Sequence, residues 1–534
     1  MFSFLQNQKI AVLILIFSGV LVYANSLPNA MFWDDSDFIL NNQFVRNFDL
    51  AKIFSENIIA GAGFISNYFR PILSVVFAIE WRLFGEWAIG YHAVNTIFHI
   101  LNGLILFFIL KKIFALTAIP FFVSLIFIIH PTQTEAVIYA NSLGDSLSVF
   151  LMFLSIFFYL KPNILMSDVN KLGYYFLALF LYVLALLSKE TAIILPVLLV
   201  LYEITKKYKN TKDVALPRFR IFVPFRMFVG PLLKLLPFLI IAGIYIYLRA
   251  TLWNFDNTFN FYDQPDAYTE NVWVRIFTFL RVLTLYFSLL IAPVQLHYER
   301  TADMATSFFS LDVIVAFLIV VILGLIAFIK FFKEKKPEYL FALGWFFIGL
   351  APTSGILAPI NNYLYEHWLY LPMIGFFLFF GFYSYEITKK YKNTKYIVGS
   401  IIGIFIIFLA TQTIKRNAEW RKPIKFYLQT LEFSPKSGRA WNNLGTEYAK
   451  IGKLEEAKNA YLESIKFISQ NPGPYNNLGN VFAALGKLDT AAEYWEKSVA
   501  INPDFLPPRQ ALEQYYAIKE KISAGEKINI RFNE

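Results

Sequence analysis

The sequence predicts an all-α protein in which a polytopic bundle of about eleven membrane-spanning helices precedes a helical-repeat domain. Of the 534 residues, 57% are hydrophobic and 16% are charged, and several apolar runs approach the roughly 20 residues that a membrane helix needs. After Arg416 the composition becomes polar and periodic. We therefore expect a membrane domain over residues 1–414 and a repeat domain over residues 415–534.

Eleven apolar runs define the predicted spans, and their odd number places the two ends of the membrane domain on opposite sides. The first run carries no recognisable cleavage site, so we expect it to be retained as a helix. The spans are predicted near residues 9–25, 90–110, 115–130, 143–160, 173–188, 190–204, 229–249, 311–330, 338–352, 367–386 and 396–414.

The distribution of Lys and Arg predicts the orientation. With the N-terminus inside, the inner segments carry 21 of these residues and the longer outer segments carry 9. Cytoplasmic loops are enriched in Lys and Arg. We therefore expect a cytoplasmic N-terminus, a long first outer loop over residues 26–89, and an extracytoplasmic repeat domain.

A further apolar stretch, residues 272–296, contains Arg275 and Arg281. If it crossed the membrane, the basic cluster at residues 330–336 would lie outside, against the charge rule. We therefore interpret this stretch as a re-entrant or interfacial helix on the outer side.

Composition excludes several classes of protein. The absence of Cys excludes disulfides, thiol catalysis and Cys-ligated metals. The net charge of +10 is explained by lysines between spans, so we expect membrane lipids and no nucleic acid as partners. Asn-x-Ser/Thr sequons are absent, which favours a bacterial inner membrane over the endoplasmic reticulum.

The repeat domain has a period of 34 residues. The period aligns Trp441 with Tyr475, Gly445 with Gly479, Ala457 with Ala491, and Tyr461 with Trp495. Both the period and the residue pattern are those of tetratricopeptide repeats. We expect two repeats, a preceding partial repeat that contains residues 426–435, and a capping helix at 507–521. Such an array suits an extended peptide or a partner helix, although it could also be a purely structural cap.

The predicted outer face collects the ionisable residues that lie near the membrane. Such groups are costly at membrane depth and usually face a protein-lined, watery cavity. Each one alone could be an ordinary interfacial residue, but their shared side predicts a functional site. Besides arginines, the candidates are Asp34, Asp35, His92, His130, Glu135, Lys189, Glu190, Glu366 and His367.

Five segments, in this order, carry a resemblance to a known family: "FWDDSDFILNN", "FRPILSVVFAIEWRLFG…YHAVNTIFHILNGL", "HPTQTEAV", "LLSKETAIILP" and "APTSGILAPINNYLYEHWLYLPMIGF". They resemble the signature segments of transmembrane O-mannosyltransferases that carry tetratricopeptide repeats. That family belongs to the GT-C superfamily, whose members use polyprenyl-phosphate sugars. The resemblance covers essentially the whole chain and implies a GT-C-like fold and a catalytic carboxylate in the first outer loop.

The implied carboxylate is Asp34 or Asp35, and the sequence does not choose between them. The lipid tail of the donor is fixed in the bilayer, so the sugar C1 reacts at the interface. A hydroxyl acceptor loses its proton as it attacks C1, and a nearby carboxylate can accept that proton. The adjacent carboxylates would also repel each other, which raises one pKa or favours a divalent cation.

The leaving group of this reaction is a lipid phosphate, which a forked arginine side chain can hold. Arg70 is the first candidate, followed by Arg275 and Arg281, which could instead extend toward lipid headgroups. His92 and His99 lie seven residues apart and hence on one helical face, where packing is a commoner role than metal binding.

The predicted function is an inverting membrane glycosyltransferase that transfers mannose or another hexose from a polyprenyl phosphate to a hydroxyl, favouring protein Ser/Thr. An alternative is transfer to a lipid or a cell-envelope glycan. A transporter would bury charge in mid-span. A non-catalytic scaffold that displays repeats would have no special need for Asp34 and Asp35.

The orientation can be tested with a reporter fused after Glu534. The reporter is one that is active only outside the cytoplasm. We expect the fusion to be active, because eleven crossings place the repeat domain on the side opposite to the cytoplasmic N-terminus. Activity only on the cytoplasmic side would contradict both the span count and the predicted mechanism.

Overall fold

The computed structural model describes residues 7–161, 166–210, 226–255, 267–300, 303–360, 362–503 and 505–523, and it is helical throughout, without a β-strand in these ranges. The chain divides into two compact units. The membrane unit runs up to Trp420, and the repeat unit contains Arg421 onward with the short segments Ala62–Phe64 and His297–Thr301. The predicted all-α class is confirmed.

In the residues that the structure describes, seventeen α-helices form the membrane unit, and most of the long ones are apolar. They are α1 (Gln8–Tyr23), α2 (Gln43–Arg46), α3 (Leu50–Ile53), α4 (Pro71–Phe84), α5 (Ala88–Phe114), α6 (Ala118–Ile129), α7 (Thr134–Ile138), α8 (Leu143–Leu160), α9 (Asp168–Leu186), α10 (Leu195–Asn210), α11 (Arg226–Ala250), α12 (Ala267–Glu270), α13 (Val272–Ile291), α14 (Leu311–Phe332), α15 (Glu338–Leu350), α16 (Met373–Lys390) and α17 (Thr394–Glu419).

Within the described ranges, eight helices are long and apolar enough to cross a membrane. Seven of them (α1, α5, α8, α9, α11, α14 and α17) correspond to predicted spans, and the eighth is α13. The predicted span at 115–130 is α6, which is followed by a bend of 52° at His130 and Pro131. Proline lacks the N–H that would continue the helix, so this break follows from the sequence. The other three predicted spans, α10, α15 and α16, have 16, 13 and 18 residues.

Contacts between helix ends give the relative directions of three long helices: α1 and α5 run antiparallel, and α1 and α17 finish at the same end of the unit. Lys111 near the end of α5 donates to Gln8 at the start of α1, at 2.9 Å. Asn25, just after α1, donates to the carbonyl of Ile414 in the last turns of α17, at 2.8 Å. One side of the membrane unit contains the end of α1, the start of α5 and the loop over residues 24–87, and we call this side the loop face. We call the other side the opposite face.

Helix α13 is long enough to span, but its contacts fit an interfacial position. Thr284, in its middle, donates to the carbonyl of Asp312 at the start of α14, at 2.9 Å. The far end of α14 lies at the opposite face, where Phe331 stacks on Tyr208 of α10. Two successive spans would meet at their ends, whereas here the middle of α13 meets the start of α14. The helix also ends at Ile291, so residues 292–296 of the predicted stretch are not helical.

The first loop is ordered, as its length predicts. It contains a short π-helix at Ser36–Leu40 and the helices α2, α3 and α4. Pro71 occupies the first turn of α4 and Arg70 is its N-cap residue. Proline suits that position because its fixed φ is helical and the first turn needs no N–H donor. Helix α4 covers most of residues 67–85, whose pattern of apolar and polar residues is that of an amphipathic surface helix.

Up to Ser523, where the described part of the chain ends, the repeat unit has six helices: α18 (Pro423–Phe433), α19 (Gly438–Lys450), α20 (Leu454–Phe467), α21 (Pro472–Ala484), α22 (Leu488–Ile501) and α23 (Leu506–Ser523). Its 34-residue period reappears in the contacts. Ser464 donates to the carbonyl of Gly438 at 2.7 Å, and its equivalent Ser498 donates to that of Pro472 at 2.8 Å. A Cβ on Gly479 would lie 2.6 Å from the Trp495 ring, so glycine permits the close helix packing.

Candidate active site

Asp35 is a buried residue of the first loop whose side chain forms hydrogen bonds with that loop and with the turn before α8. Its side chain is 1% exposed. Its Oδ2 accepts a hydrogen bond from the Phe32 N–H at 3.1 Å, and its Oδ1 accepts one from the Asn141 N–H at 2.8 Å. Both oxygens therefore hold backbone donors, and the carboxylate fixes the position of residues 32–35 relative to the bundle.

Asp34 is held differently and remains partly exposed. The preceding residue, Trp33, has a φ of +64°, a region that is unfavourable for a bulky side chain. Its ring stacks on Tyr139 with centroids 4.9 Å apart. The Tyr139 hydroxyl accepts a hydrogen bond from the Asp34 N–H at 3.0 Å. One aromatic residue thus supports both the strained turn and the backbone of Asp34.

Arg70 is oriented by a two-pronged ion pair with Glu190. Its Nε donates to Glu190 Oε2 at 3.0 Å and its Nη2 to Oε1 at 2.6 Å. Burial would raise the pKa of the Glu190 carboxyl, but the charge and hydrogen bonds of Arg70, together with Lys189, lower it to about 2. The guanidinium also lies 4.5 Å from the centre of the Tyr68 ring.

Tyr68 brings Asp34 into the same electrostatic neighbourhood as Arg70. Burial raises the pKa of the Tyr68 hydroxyl, Arg70 lowers it, and the negative charges of Glu190 and Asp34 raise it. Two acidic groups and one arginine therefore act on one phenol at the loop face. Asp34, Arg70 and Glu190, which the sequence predicted separately, thus all influence the pKa of this one side chain.

A second ion pair extends this group of charges. Lys189 donates to Asp145 at 2.6 Å, and both side chains are mostly buried. Asp145 lies in the first turn of α8 and was not among the predicted site residues. The only sequence signal for it is an acidic residue at the loop-face end of a span.

Glu135 and His367 form a further pair at the loop face, with 2.9 Å between Oε1 and Nδ1. The backbone N–H of His367 donates to the other Glu135 oxygen at 3.3 Å. The Tyr365 ring stacks on His367 with centroids 5.2 Å apart, and Tyr365 also acts electrostatically on Tyr68. Tyr365 therefore relates this pair to the group around Arg70.

Glu366 lies beside Arg416, and both residues are buried. Arg416 Nη2 is 4.0 Å from Glu366 Oε2, and Arg416 Nη1 donates to Glu419 at 2.8 Å. The interaction links the end of α17 to the segment Glu366–Leu369. The sequence prediction did not include Arg416, although a basic residue at the outer end of a span departs from the charge rule in the same way as Arg70.

The predicted histidines His92 and His130 make structural hydrogen bonds. His92 Nε2 donates to the carbonyl of Asn29 at 3.0 Å. His130 Nε2 donates to the carbonyl of Leu290 at 3.2 Å, and its Nδ1 lies 2.8 Å from the Thr132 hydroxyl. These contacts connect loops and helix ends rather than adding to the group around Arg70.

Arg275 and Arg281 are also engaged elsewhere. Arg281 forms an ion pair with Asp312 at 2.5 Å. Arg275 donates to the carbonyls of Thr269 at 2.9 Å and Ile356 at 3.4 Å. Both arginines of α13 organise the segments around that helix, so their contacts do not join them to Arg70.

The divalent cation that the adjacent aspartates could favour stays a prediction, and both Asp35 oxygens already accept backbone N–H groups. Within the described ranges, no group of three or more His, Asp or Glu residues has an arrangement that could hold a metal ion.

Comparison with known proteins gives relatives for both units. Three family models match the repeat unit: a "TPR repeat" at residues 445–486 and a "Tetratricopeptide repeat" at 474–505 and at 426–459. The predicted tetratricopeptide array is thereby confirmed.

The similar proteins are named as transferases. "Protein O-mannosyl-transferase F38B6.6" of Caenorhabditis elegans is 25% identical over 460 residues, which are 84% of this chain and 61% of the relative. "Protein O-mannosyl-transferase TMTC3" of Homo sapiens is 24% identical and covers 82% of this chain and 49% of the relative. The chain thus spans between half and two-thirds of the length of these relatives.

Solved structures show a more distant similarity. ArnT from Cupriavidus metallidurans bound to undecaprenyl phosphate is 13% identical, with a TM-score of 0.39 over 97% of this chain and 81% of that one. The Archaeoglobus fulgidus oligosaccharyltransferase in complex with Zn and sulfate is 13% identical, with a TM-score of 0.43 over 76% of this chain and 53% of that one. By sequence, and over more than four-fifths of its length, the chain resembles the transmembrane O-mannosyltransferases that carry tetratricopeptide repeats.

Proposed function

We propose that this protein is an inverting glycosyltransferase of the membrane that transfers mannose or another hexose from a polyprenyl phosphate to a protein Ser/Thr hydroxyl. The observation that carries the proposal is that the loop face holds both a partly exposed carboxylate, Asp34, and the oriented Arg70–Glu190 ion pair. A base and a phosphate-binding cation are the two groups that this reaction needs at the membrane surface. The names of the relatives support the sugar and the protein acceptor.

Asp34 is the base in this proposal and Asp35 positions it. A general base must reach the acceptor hydroxyl within hydrogen-bond distance. Asp35 is buried and its oxygens hold the N–H groups of Phe32 and Asn141. Asp34 is partly exposed on the next residue and its backbone is fixed by Tyr139. The contacts therefore favour Asp34, a choice that the sequence left open.

Arg70 holds the donor phosphate in this proposal. A guanidinium has five N–H donors, of which Glu190 accepts two. The remaining donors can bind phosphate oxygens while Glu190 and Tyr68 keep the fork in place. An arginine that is oriented before the donor binds loses little side-chain freedom on binding.

The acceptor hydroxyl attacks C1 directly in this scheme, its proton passes to Asp34, and the lipid phosphate leaves as an anion held by Arg70. A single displacement of this kind inverts the configuration at C1. A phosphate needs no general acid to leave, which agrees with a site that supplies one base and one cation.

The proposed location follows from the charge distribution. We place the N-terminus in the cytoplasm and the loop face on the extracytoplasmic side of a bacterial inner membrane. The repeat unit then lies on the same side as Asp34, where an α-solenoid can bind an acceptor polypeptide.

The activity can be tested with the purified full-length protein, a panel of polyprenyl-phosphate sugars and a Ser/Thr-containing acceptor protein. We expect turnover of at least one donor and a loss of about 10²- to 10⁴-fold in Asp34→Asn, since Asn cannot accept the proton. Donor binding should change little. The matched control is Asp37→Asn, which removes a carboxylate from the same loop. Absence of turnover with every donor, or equal turnover in both variants, would contradict the proposal and favour a scaffold.

The role of Arg70 can be tested with Arg70→Lys. Lysine keeps the charge but loses the fork, so the KM for the donor should rise by about 10- to 100-fold, the equivalent of one or two charged hydrogen bonds. The control is Arg82→Lys on the same helix α4, where the guanidinium lies over the Phe48 ring. A donor KM that is unchanged in Arg70→Lys would remove Arg70 from the site.

A further inference from the structure

A cavity of about 400 Å³ lies at the opposite face of the membrane unit, among the ends of four helices. Helices α8 and α10 end beside it, and α9 and α11 begin beside it. The polar residues around it that matter for its chemistry are Tyr159, Lys171, Tyr175, Glu203, Lys206 and Lys234. It is distinct from the candidate active site, because Asp34 and Arg70 lie at the loop face.

The cavity has an excess of positive charge. Three lysines, Lys171, Lys206 and Lys234, surround it together with one acidic residue, Glu203. Glu203 is buried and accepts a hydrogen bond from the Tyr159 hydroxyl at 2.9 Å. Of the lysines, Lys171 pairs with Asp168 at 3.0 Å, but the Asp168 side chain is 98% exposed and easily displaced. The cavity therefore suits a ligand with a compact negative charge.

An apolar, exposed rim adjoins the same cavity: Leu233 lines it, and Leu172 and Phe176 lie on the adjoining face of α9. Leu172 and Phe176 on α9 are 55% and 59% exposed and follow Lys171 and Tyr175 directly in sequence. Leu233 on α11 is 66% exposed and precedes Lys234. In a membrane these side chains face the lipid acyl chains. The cavity therefore combines lysine side chains at the end of the helix bundle with an adjoining apolar surface.

We propose that this cavity binds the headgroup of an anionic glycerophospholipid. The phosphate and its headgroup occupy the space between Lys171, Lys206 and Lys234, and the acyl chains lie along Leu172, Phe176 and Leu233. Basic pockets between the ends of membrane helices bind anionic headgroups in this way. A soluble phosphate ester would use the lysines but gain nothing from the apolar rim.

The chain contains its own control for this site. The eleven residues "YEITKKYKNTK" occur twice, at 202–212 and at 385–395. In the first copy Glu203 and Lys206 border the cavity. In the second copy the equivalent Glu386 is paired with Lys330 at 2.6 Å and Lys336 at 2.8 Å, and the equivalent Lys389 is exposed. The same local sequence therefore borders the cavity in the first copy, whereas in the second copy its glutamate is held by two lysines.

The test measures binding of phosphatidylglycerol and of phosphatidylcholine to the delipidated, purified full-length protein by native mass spectrometry. We expect preferential binding of phosphatidylglycerol. The triple variant Lys171→Gln, Lys206→Gln and Lys234→Gln should weaken it by on the order of 100-fold. The control triple variant Lys389→Gln, Lys390→Gln and Lys392→Gln removes equal charge from the second copy and should change binding by about twofold or less.

A gain-of-affinity variant guards against loss through misfolding. Glu203→Gln removes the negative charge but can still accept the Tyr159 hydrogen bond, so phosphatidylglycerol should bind several-fold more tightly. Equal binding of both lipids, equal losses in both triple variants, or no gain in Glu203→Gln would overturn the proposal. If free glycerol phosphate displaced phosphatidylglycerol at an equal concentration, the apolar rim would contribute nothing to binding. That result would contradict a lipid ligand and indicate a soluble phosphate ester instead.

Discussion

The carboxylate of Asp35 is the interaction on which the arrangement of the loop face depends. It accepts N–H groups from Phe32, three residues before it, and from Asn141, in the turn that precedes α8. A buried carboxylate that lost these donors would be strongly unfavourable, so the first loop is fixed to the bundle at this point. Two interactions stabilise the strained turn at Trp33: Asp35 accepts the N–H of the preceding residue, Phe32, and Tyr139 stacks on the Trp33 ring.

The other ionisable groups at the loop face are arranged in close pairs of opposite charge. Arg70 with Glu190, Lys189 with Asp145, and Arg416 with Glu419 all lie within 2.8 Å. The first two pairs join different segments at the loop face, the third lies within α17, and pairing reduces the cost of burying these charges. A lipid-linked sugar donor brings a negative phosphate to this surface. The ion pairs leave arginine N–H groups available to it, while a carboxylate balances the charge of each arginine in the absence of the donor.

The sequence predicted the elements because their signals are local. Apolar length predicted most spans, and a period of 34 predicted the repeats. Local signals also account for the bend after α6, at Pro131, and for the start of α4, at Pro71. Roles that depend on tertiary contacts were beyond it. Nothing local separates Asp34 from Asp35, since their difference arises from Asn141, more than a hundred residues away. Likewise, the pairing of Arg281 with Asp312 depends on how α13 packs against α14. His92 and His130 donate hydrogen bonds to backbone carbonyls that are distant in sequence.

The division of work between Asp34 and Asp35 is the central claim, and hydrogen exchange combined with turnover tests it most directly. In Asp35→Asn, one of the two backbone donors loses its acceptor, so the amide of either Phe32 or Asn141 should exchange faster and turnover should fall. In Asp34→Asn, turnover should fall while both amides exchange as in the unaltered protein. Protected amides in Asp35→Asn, or faster exchange of both amides in Asp34→Asn, would contradict the account.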